Sequence, residues 1–249
     1  MKKYFFLLAI ISLISCSNAS TQTKKEAAQS MKTEKAEAKE DADDDEKVAE
    51  AEDDGDENEA VLINFETGTV GKLPEGFTQT STGRQQQTLN WAVADDNGNK
   101  VVAQLAKNKG DYYNVLVYDK DTYKDLEVSV KIKAAAGKED QGGGLVWRYI
   151  DNNNYYITRY NPLEKNLRLY NVVNGNRIQI KSVESLNIPS GEWFTLTVKM
   201  KGNTITCELN DKELIKTTND TFKSAGKIGL WTKADAQSYF DDLTIEVEK

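Results

Sequence analysis

Leu126-Glu127-Val128-Ser129-Val130-Lys131-Ile132-Lys133 is the stretch on which the fold turns. Every second residue is apolar and its neighbours are polar or charged. That two-residue period belongs to a half-buried β-strand, not to a helix. The same period recurs outward from it. Phe194, Leu196, Val198 and Met200 alternate with Thr195, Thr197 and Lys199, and Leu243, Ile245 and Val247 alternate with Thr244, Glu246 and Glu248. Turn chemistry falls between such runs. Asp95-Asp96-Asn97-Gly98-Asn99 separates Leu89–Val93 from Val101–Leu105, and Asn174-Gly175 separates Leu167–Val173 from Arg177–Ile180. With roughly a dozen such runs and no amphipathic helix of ten residues, the chain predicts an all-β sandwich of two antiparallel sheets, of jelly-roll type. The first strand, near Val61–Phe65, and the last, near Tyr239 to Val247, are expected to be neighbours.

The 249 residues divide sharply by composition. Met1-Lys2-Lys3 opens a short apolar run from Tyr4 to Ile14, the layout of a secretory signal and too short to span a bilayer. Leu13-Ile14-Ser15-Cys16 resembles the lipobox of bacterial lipoproteins. The resemblance implies that residues 1–15 are removed and that Cys16 is lipidated, with palmitate among its acyl chains. It implies a cell-envelope address, and Ser17 is compatible with the outer membrane. Residues 17–60 hold six Lys, sixteen Asp or Glu and no aromatic residue, Leu, Ile or Pro, so residues 16–60 are expected to form a lipidated, disordered acidic tether. Residues 61–249 are charge-balanced, with no sign bias toward nucleic acid, and are long enough for one domain. The chain has no His, which excludes His-containing triads and His-ligated zinc. Cys207 alternates with aliphatic residues and reads as a buried small hydrophobe.

A family resemblance covers residues 61–249. Its carriers, in order, are Gly142-Gly143-Gly144-Leu145-Val146-Trp147-Arg148-Tyr149, Asn154-Tyr155-Tyr156-Ile157-Thr158-Arg159, Asn166-Leu167-Arg168-Leu169-Tyr170, Gly191-Glu192-Trp193, Gly226-Lys227-Ile228-Gly229-Leu230-Trp231 and Phe240-Asp241-Asp242-Leu243. This series resembles the concanavalin A-like lectin/glucanase superfamily, nearest to its laminin-G-like and 3-keto-disaccharide hydrolase domains. The resemblance implies a jelly-roll sandwich that carries ligand on its concave sheet. That fold hosts binders and enzymes alike.

Sugars present weakly apolar ring faces edged by hydroxyls, so a sugar site needs rings flanked by amides, carboxylates or guanidinium groups. Residues 147–177 are dense in these groups and include Arg177. The expected carbohydrate site stacks sugar on Tyr156, Tyr170 and Trp231, with Arg148, Arg159, Asn166, Lys233 and Asp235 fixing orientation. Trp147 and Trp193 read as structural. Members of the superfamily often hold a structural calcium between first and last strands. Asp241, which shares the parity of Leu243, and Glu66 are the candidate ligands, although calcium takes six to eight oxygens. Family 16 glycanases place acids as Glu-x-Asp-x-x-Glu. That string occurs here only as Glu52, Asp54 and Glu57, in the acidic segment. Glu139-Asp140 is a loop pair within reach of a cleft or an ordinary turn. The expected function is thus membrane-anchored carbohydrate binding. A glycoside hydrolase and a laminin-G-type protein-interaction module are the alternatives.

Overall fold

The computed structural model describes residues 60–83 and 88–247. The leader, Cys16 and the acidic segment lie outside them. Among the described residues there are fifteen strands and no helix. They are β1 (Val61–Ile63), β2 (Phe77–Thr82), β3 (Trp91–Asp96), β4 (Asn99–Gln104), β5 (Tyr113–Tyr123), β6 (Leu126–Ala136), β7 (Gly143–Asp151), β8 (Asn154–Asn161), β9 (Asn166–Val173), β10 (Asn176–Val183), β11 (Trp193–Lys201), β12 (Thr204–Leu209), β13 (Lys212–Thr218), β14 (Gly226–Lys233) and β15 (Gln237–Val247). They form two antiparallel sheets. The first runs β13-β12-β11-β6-β15-β4-β3, with β1 also on β15, and the second runs β10-β9-β8-β7-β14-β5-β2. The first and last strands are neighbours, with Val61 opposite Ile245.

The turns follow their sequence. Asn174 and Gly175 both take positive φ between β9 and β10, as do Asn97 and Gly98 between β3 and β4. These are the left-handed pairs that a two-residue hairpin requires.

Leu126, Val128, Val130 and Ile132 of β6 point between the sheets and are fully buried, and Lys131 faces out. They share one core with Leu145, Trp147, Tyr156, Tyr160, Leu167 and Leu169 of the second sheet. Cys207 is buried there too, and burial pushes its thiol up to about 12.

Three readings are corrected by this packing. Tyr156 belongs to the inter-sheet core. It stacks on Trp147 and its hydroxyl binds Asn219 Oδ1 at 2.7 Å, so no ring face is free for a sugar. Arg148 sits at a bulge. Its φ is 44°, the β7–β8 register slips between Trp147 and Asp151, and the side chain turns inward to 1% exposure. There its guanidinium donates to Phe222 O at 2.6 Å, Gly202 O at 2.7 Å and Lys124 O at 2.9 Å. Asp241 likewise precedes a bulge, with Asp242 at φ 46° and an extra residue before Thr244. The bulge reverses parity, so Asp241 pairs across the sheet with outward Lys131. Asn99 donates to its Oδ2 at 2.8 Å, and Glu66 Oε1 accepts the Lys100 N–H at 3.1 Å. Among the described residues no three acidic, Cys or His side chains converge as metal ligands would. These donors do not fit calcium.

Arg148 pins three separate segments through their carbonyls. Arg148→Met leaves the Phe222 carbonyl unmet in a buried place and unties the more exposed carbonyls of Lys124 and Gly202. We expect the variant to lose about 1–3 kcal/mol in urea unfolding.

Candidate functional site

The second sheet curls. β8 and β2 are four places apart in its order, which is about 19 Å in a flat sheet. Yet Tyr155 Oη and Thr82 Oγ1 lie 2.7 Å apart, and Asn152 Nδ2 donates to Ser81 O at 3.0 Å. The β7–β8 turn therefore reaches the end of β2, and the face that carries Tyr155 is concave. Alternation puts the opposite parity of each strand on it. Val146, Tyr155, Ile157, Tyr170, Val172 and Trp231 form a second buried cluster there, joined by Tyr113 of β5.

Three rings lie together at one place on this face. Tyr113 and Trp231 are 5.3 Å apart between centroids. The Arg177 guanidinium, from β10, covers them. Its central carbon is 4.5 Å from the Tyr170 ring, 4.9 Å from Tyr113 and 5.6 Å from Trp231. Trp231 is 2% and Tyr170 5% exposed. The rings are thus a floor beneath a cation, not open platforms.

A polar group surrounds the floor. Arg159 shares the outer parity of Tyr155 and is buried. Its Nη1 donates to Asn166 Oδ1 and its Nη2 to Glu164 Oε2 at 2.7 Å. Gly144, opposite Arg159 on β7, makes room for it: a Cβ there would fall 2.1 Å from Thr158 O and 2.8 Å from the Arg159 Cβ. Arg168 also donates to Glu164, at 3.0 Å, and Asn166 reaches Glu184 at 3.1 Å. Nearer the end of β14, Lys233 Nζ is 3.5 Å from Asp140 and 3.6 Å from Asp111. Asn161 Nδ2 donates to Asp140 Oδ1 at 2.7 Å.

Asp140 and Asp241 are the two buried acids among the described residues, and Asp140 is the one in this site. Burial raises its pKa from the ordinary aspartate value, against the pull of Arg159, Lys233 and Arg177. Asp235 holds it in place. The Asp235 carboxylate accepts the backbone N–H groups of Lys138 at 2.8 Å, Glu139 at 3.0 Å and Asp140 at 2.9 Å. Partial burial works against that carboxylate, but the backbone donors outweigh it and its pKa is lowered.

The structure therefore brings Arg159, Asn166, Tyr170, Trp231 and Lys233 onto one concave face. It gives Asp235 a bracing role behind the loop and takes Arg148 and Tyr156 elsewhere. Trp147 is in the core, and Trp193 lies on the outer face of the first sheet with Lys133 Nζ 5.1 Å from its ring. Sequence reasoning missed Tyr113 altogether. Its only signal is the alternation of Tyr113, Val115 and Val117 on β5. Arg177 and Asp140 stood in the sequence as members of a dense cluster and of a loop pair, with nothing to single them out.

Comparison with known proteins agrees with this architecture. The carbohydrate-binding module CBM66 from Bacillus subtilis superposes with a TM-score of 0.56 at 19% identity, over 69% of this chain and 95% of that one. A glycoside hydrolase family 16 endo-glucanase from Bacteroides ovatus gives 0.54 at 12% identity, over 75% and 98%. A β-glucanase from Bacillus licheniformis gives 0.52 at 12%, over 76% and 98%. These likenesses establish a concanavalin A-like jelly roll. Among curated proteins no sequence matches this chain. The family profile described as a 3-keto-alpha-glucoside-1,2-lyase-like domain matches residues 58–246, and the chain belongs to that family.

Proposed function

We propose that this chain is an envelope-tethered lipoprotein that captures carbohydrate on the concave face of its second sheet. One observation carries the reading: buried polar groups converge over an aromatic floor at a single place on that face. Asp140 supplies an acceptor, and Arg159 and Lys233 supply donors. A sugar hydroxyl is both donor and acceptor, so a mixed set of this kind suits it. Orientation by charged partners leads here and stacking is secondary, because Arg177 lies on the rings. The lipobox at Cys16 and the acidic run behind it support the tether.

A second reading rests on Asp140. A carboxyl whose pKa is raised by burial is a better general base near neutrality. A lyase acting on a 3-keto-glucoside removes the proton beside the ketone and expels the glycosidic oxygen. Asp140 is the buried carboxylate on this face able to take that proton. Turnover of such a substrate, lost in Asp140→Asn, would move the protein from binder to enzyme.

The full chain in detergent, immobilised and challenged with plant, microbial and animal oligosaccharides, is expected to retain a defined glycan class. Asp140→Asn and Lys233→Met should each weaken retention about tenfold, the loss of one charged hydrogen bond. Lys216→Gln, on the other sheet, should change nothing. Retention of no glycan, or retention indifferent to both site variants, would reject the site.

Asp140 also predicts a pH signature. Its raised pKa means that the ionised form is disfavoured in the folded protein, so stability is lost as pH rises through the folded value. Asp140→Asn should melt higher than the parent at neutral pH. The gain should vanish only below about pH 3, under the unfolded value of about 3.9, where the carboxyl is protonated in both states. Thermal denaturation across that range measures it.

Membrane attachment has its own check. Radiolabelled palmitate should enter the chain when it is expressed in a lipoprotein-processing bacterium, and Cys16→Ser should abolish both label and membrane partition.

A further inference from the structure

The arginines of the described domain fall into two kinds. Arg148 shows what a structural arginine looks like here: Nε, Nη1 and Nη2 each donate to a carbonyl. Arg159 and Arg168 are neutralised by Glu164, and Arg168 also by Glu184. Arg177 differs from all three. Among the described residues no carboxylate lies within ion-pair distance of it, and its Nη1 is buried without a hydrogen-bond partner. Three rings crowd its central carbon. They hold it in place through their electron-rich faces, but they do not neutralise it or satisfy its in-plane donors.

A buried unmet donor on a cation costs stability. The fold keeps one at the centre of the candidate site, beside two further cations, Arg159 and Lys233, that act on Asp140. Glu164 is taken up by Arg159 and Arg168, and Asp140 and Asp111 by Lys233, so none of these carboxylates is an ion-pair partner of Arg177. A planar, pre-oriented guanidinium with free in-plane donors suits paired anionic oxygens, which it binds bidentately.

We infer that Arg177 reads a negative group on the bound saccharide, either a uronate carboxylate or a sulfate ester, so that the glycan captured is an acidic one. The inference rests on the carbohydrate reading above and narrows it to a ligand class. A neutral hydroxyl is a single oxygen, so it does not present the paired acceptor atoms that a guanidinium fork binds side by side, and it brings no charge. An anionic group at this position completes the fork and neutralises the cation together.

The test uses the full chain in detergent and sugars that differ only at C6: galactose, galacturonate, the methyl ester of galacturonate and galactose 6-sulfate. The matching glucose series is run beside it. Binding is read by tryptophan fluorescence or by ligand-observed NMR. At least one charged form is expected to bind about tenfold or more tightly than its neutral counterpart, a difference of about 1.4 kcal/mol. The carboxylate and sulfate arms show which anion is read. Arg177→Gln should erase that preference, so that the charged and neutral forms of each sugar bind alike. Arg177→Lys retains charge without the planar fork and should keep only part of the preference, which covers the case in which the Gln variant fails to fold. Equal binding of acid and ester, or a preference that survives in Arg177→Gln, overturns the inference and leaves carbohydrate binding standing. Failure of every sugar in both series also overturns it, and the glycan panel decides the broader reading independently.

Discussion

The curl of the second sheet is the constraint on which the rest depends. A sandwich needs each sheet apolar on one face only. Here the second sheet is apolar on both, because the turn between β7 and β8 closes onto the end of β2 through Asn152, Ser81, Tyr155 and Thr82. That closure makes the outer face a concave floor and brings β5, β9, β10 and β14 side chains to one place. Without it, Arg177 and Tyr113 would stand on separate strands with no common neighbour. Tyr155 shows how tightly the closure is bound to burial. Its hydroxyl is wholly enclosed, meets Thr82, and is pushed well above the usual phenol range by desolvation.

The same two-sidedness explains what could be read from the sequence. Strand β6 was legible because one of its faces is wet, so alternation gives both period and direction. Strand β9 was legible for the same reason: Leu167 and Leu169 enter the core while Arg168 and Tyr170 face out. Strand β8 was not. Tyr155 and Tyr156 are both fully buried, one on each face, so parity separates them and says nothing about which is inside. The hairpin at Asn174-Gly175 announces itself by composition, whereas the bulges at Arg148 and Asp242 do not. Each needs a positive φ at a residue that normally avoids it, and tertiary contacts impose that conformation. One bulge moved Arg148 out of the site and the other moved Asp241 off the face its neighbours suggest.

Long-range placement was the second thing hidden. Asp140 reads as half of a solvated acidic pair. It becomes a buried acid because Asp235, far along the chain, gathers three successive backbone N–H groups of its loop. The Trp231–Asp235 stretch thus does two jobs at once. Trp231 and Lys233 face the site from β14, and Asp235 fixes the loop that delivers the opposing carboxyl. This is why a wall of the cleft could be seen locally while its counterpart could not.

On the proposed function, the electrostatics of the face set what kind of recognition it favours. Rings covered by a guanidinium contribute little open stacking area, so the usual lectin-like reading of Tyr and Trp is incomplete. Their larger effect is on Arg177 itself. Aromatic faces hold a cation in place while leaving its edge donors unspent, and on the proposed reading the side chain awaits a partner the domain does not supply. The rim repeats this logic in the opposite sense. Glu164 ties Arg159 and Arg168 together, and Lys233 is divided between Asp140 and Asp111. Partners satisfied in this way stay rigid, which lowers the ordering cost of binding. A stiff, mostly paired rim around one unpaired, oriented cation concentrates selectivity at that cation, and the sign of its charge fixes the sign of the group it selects.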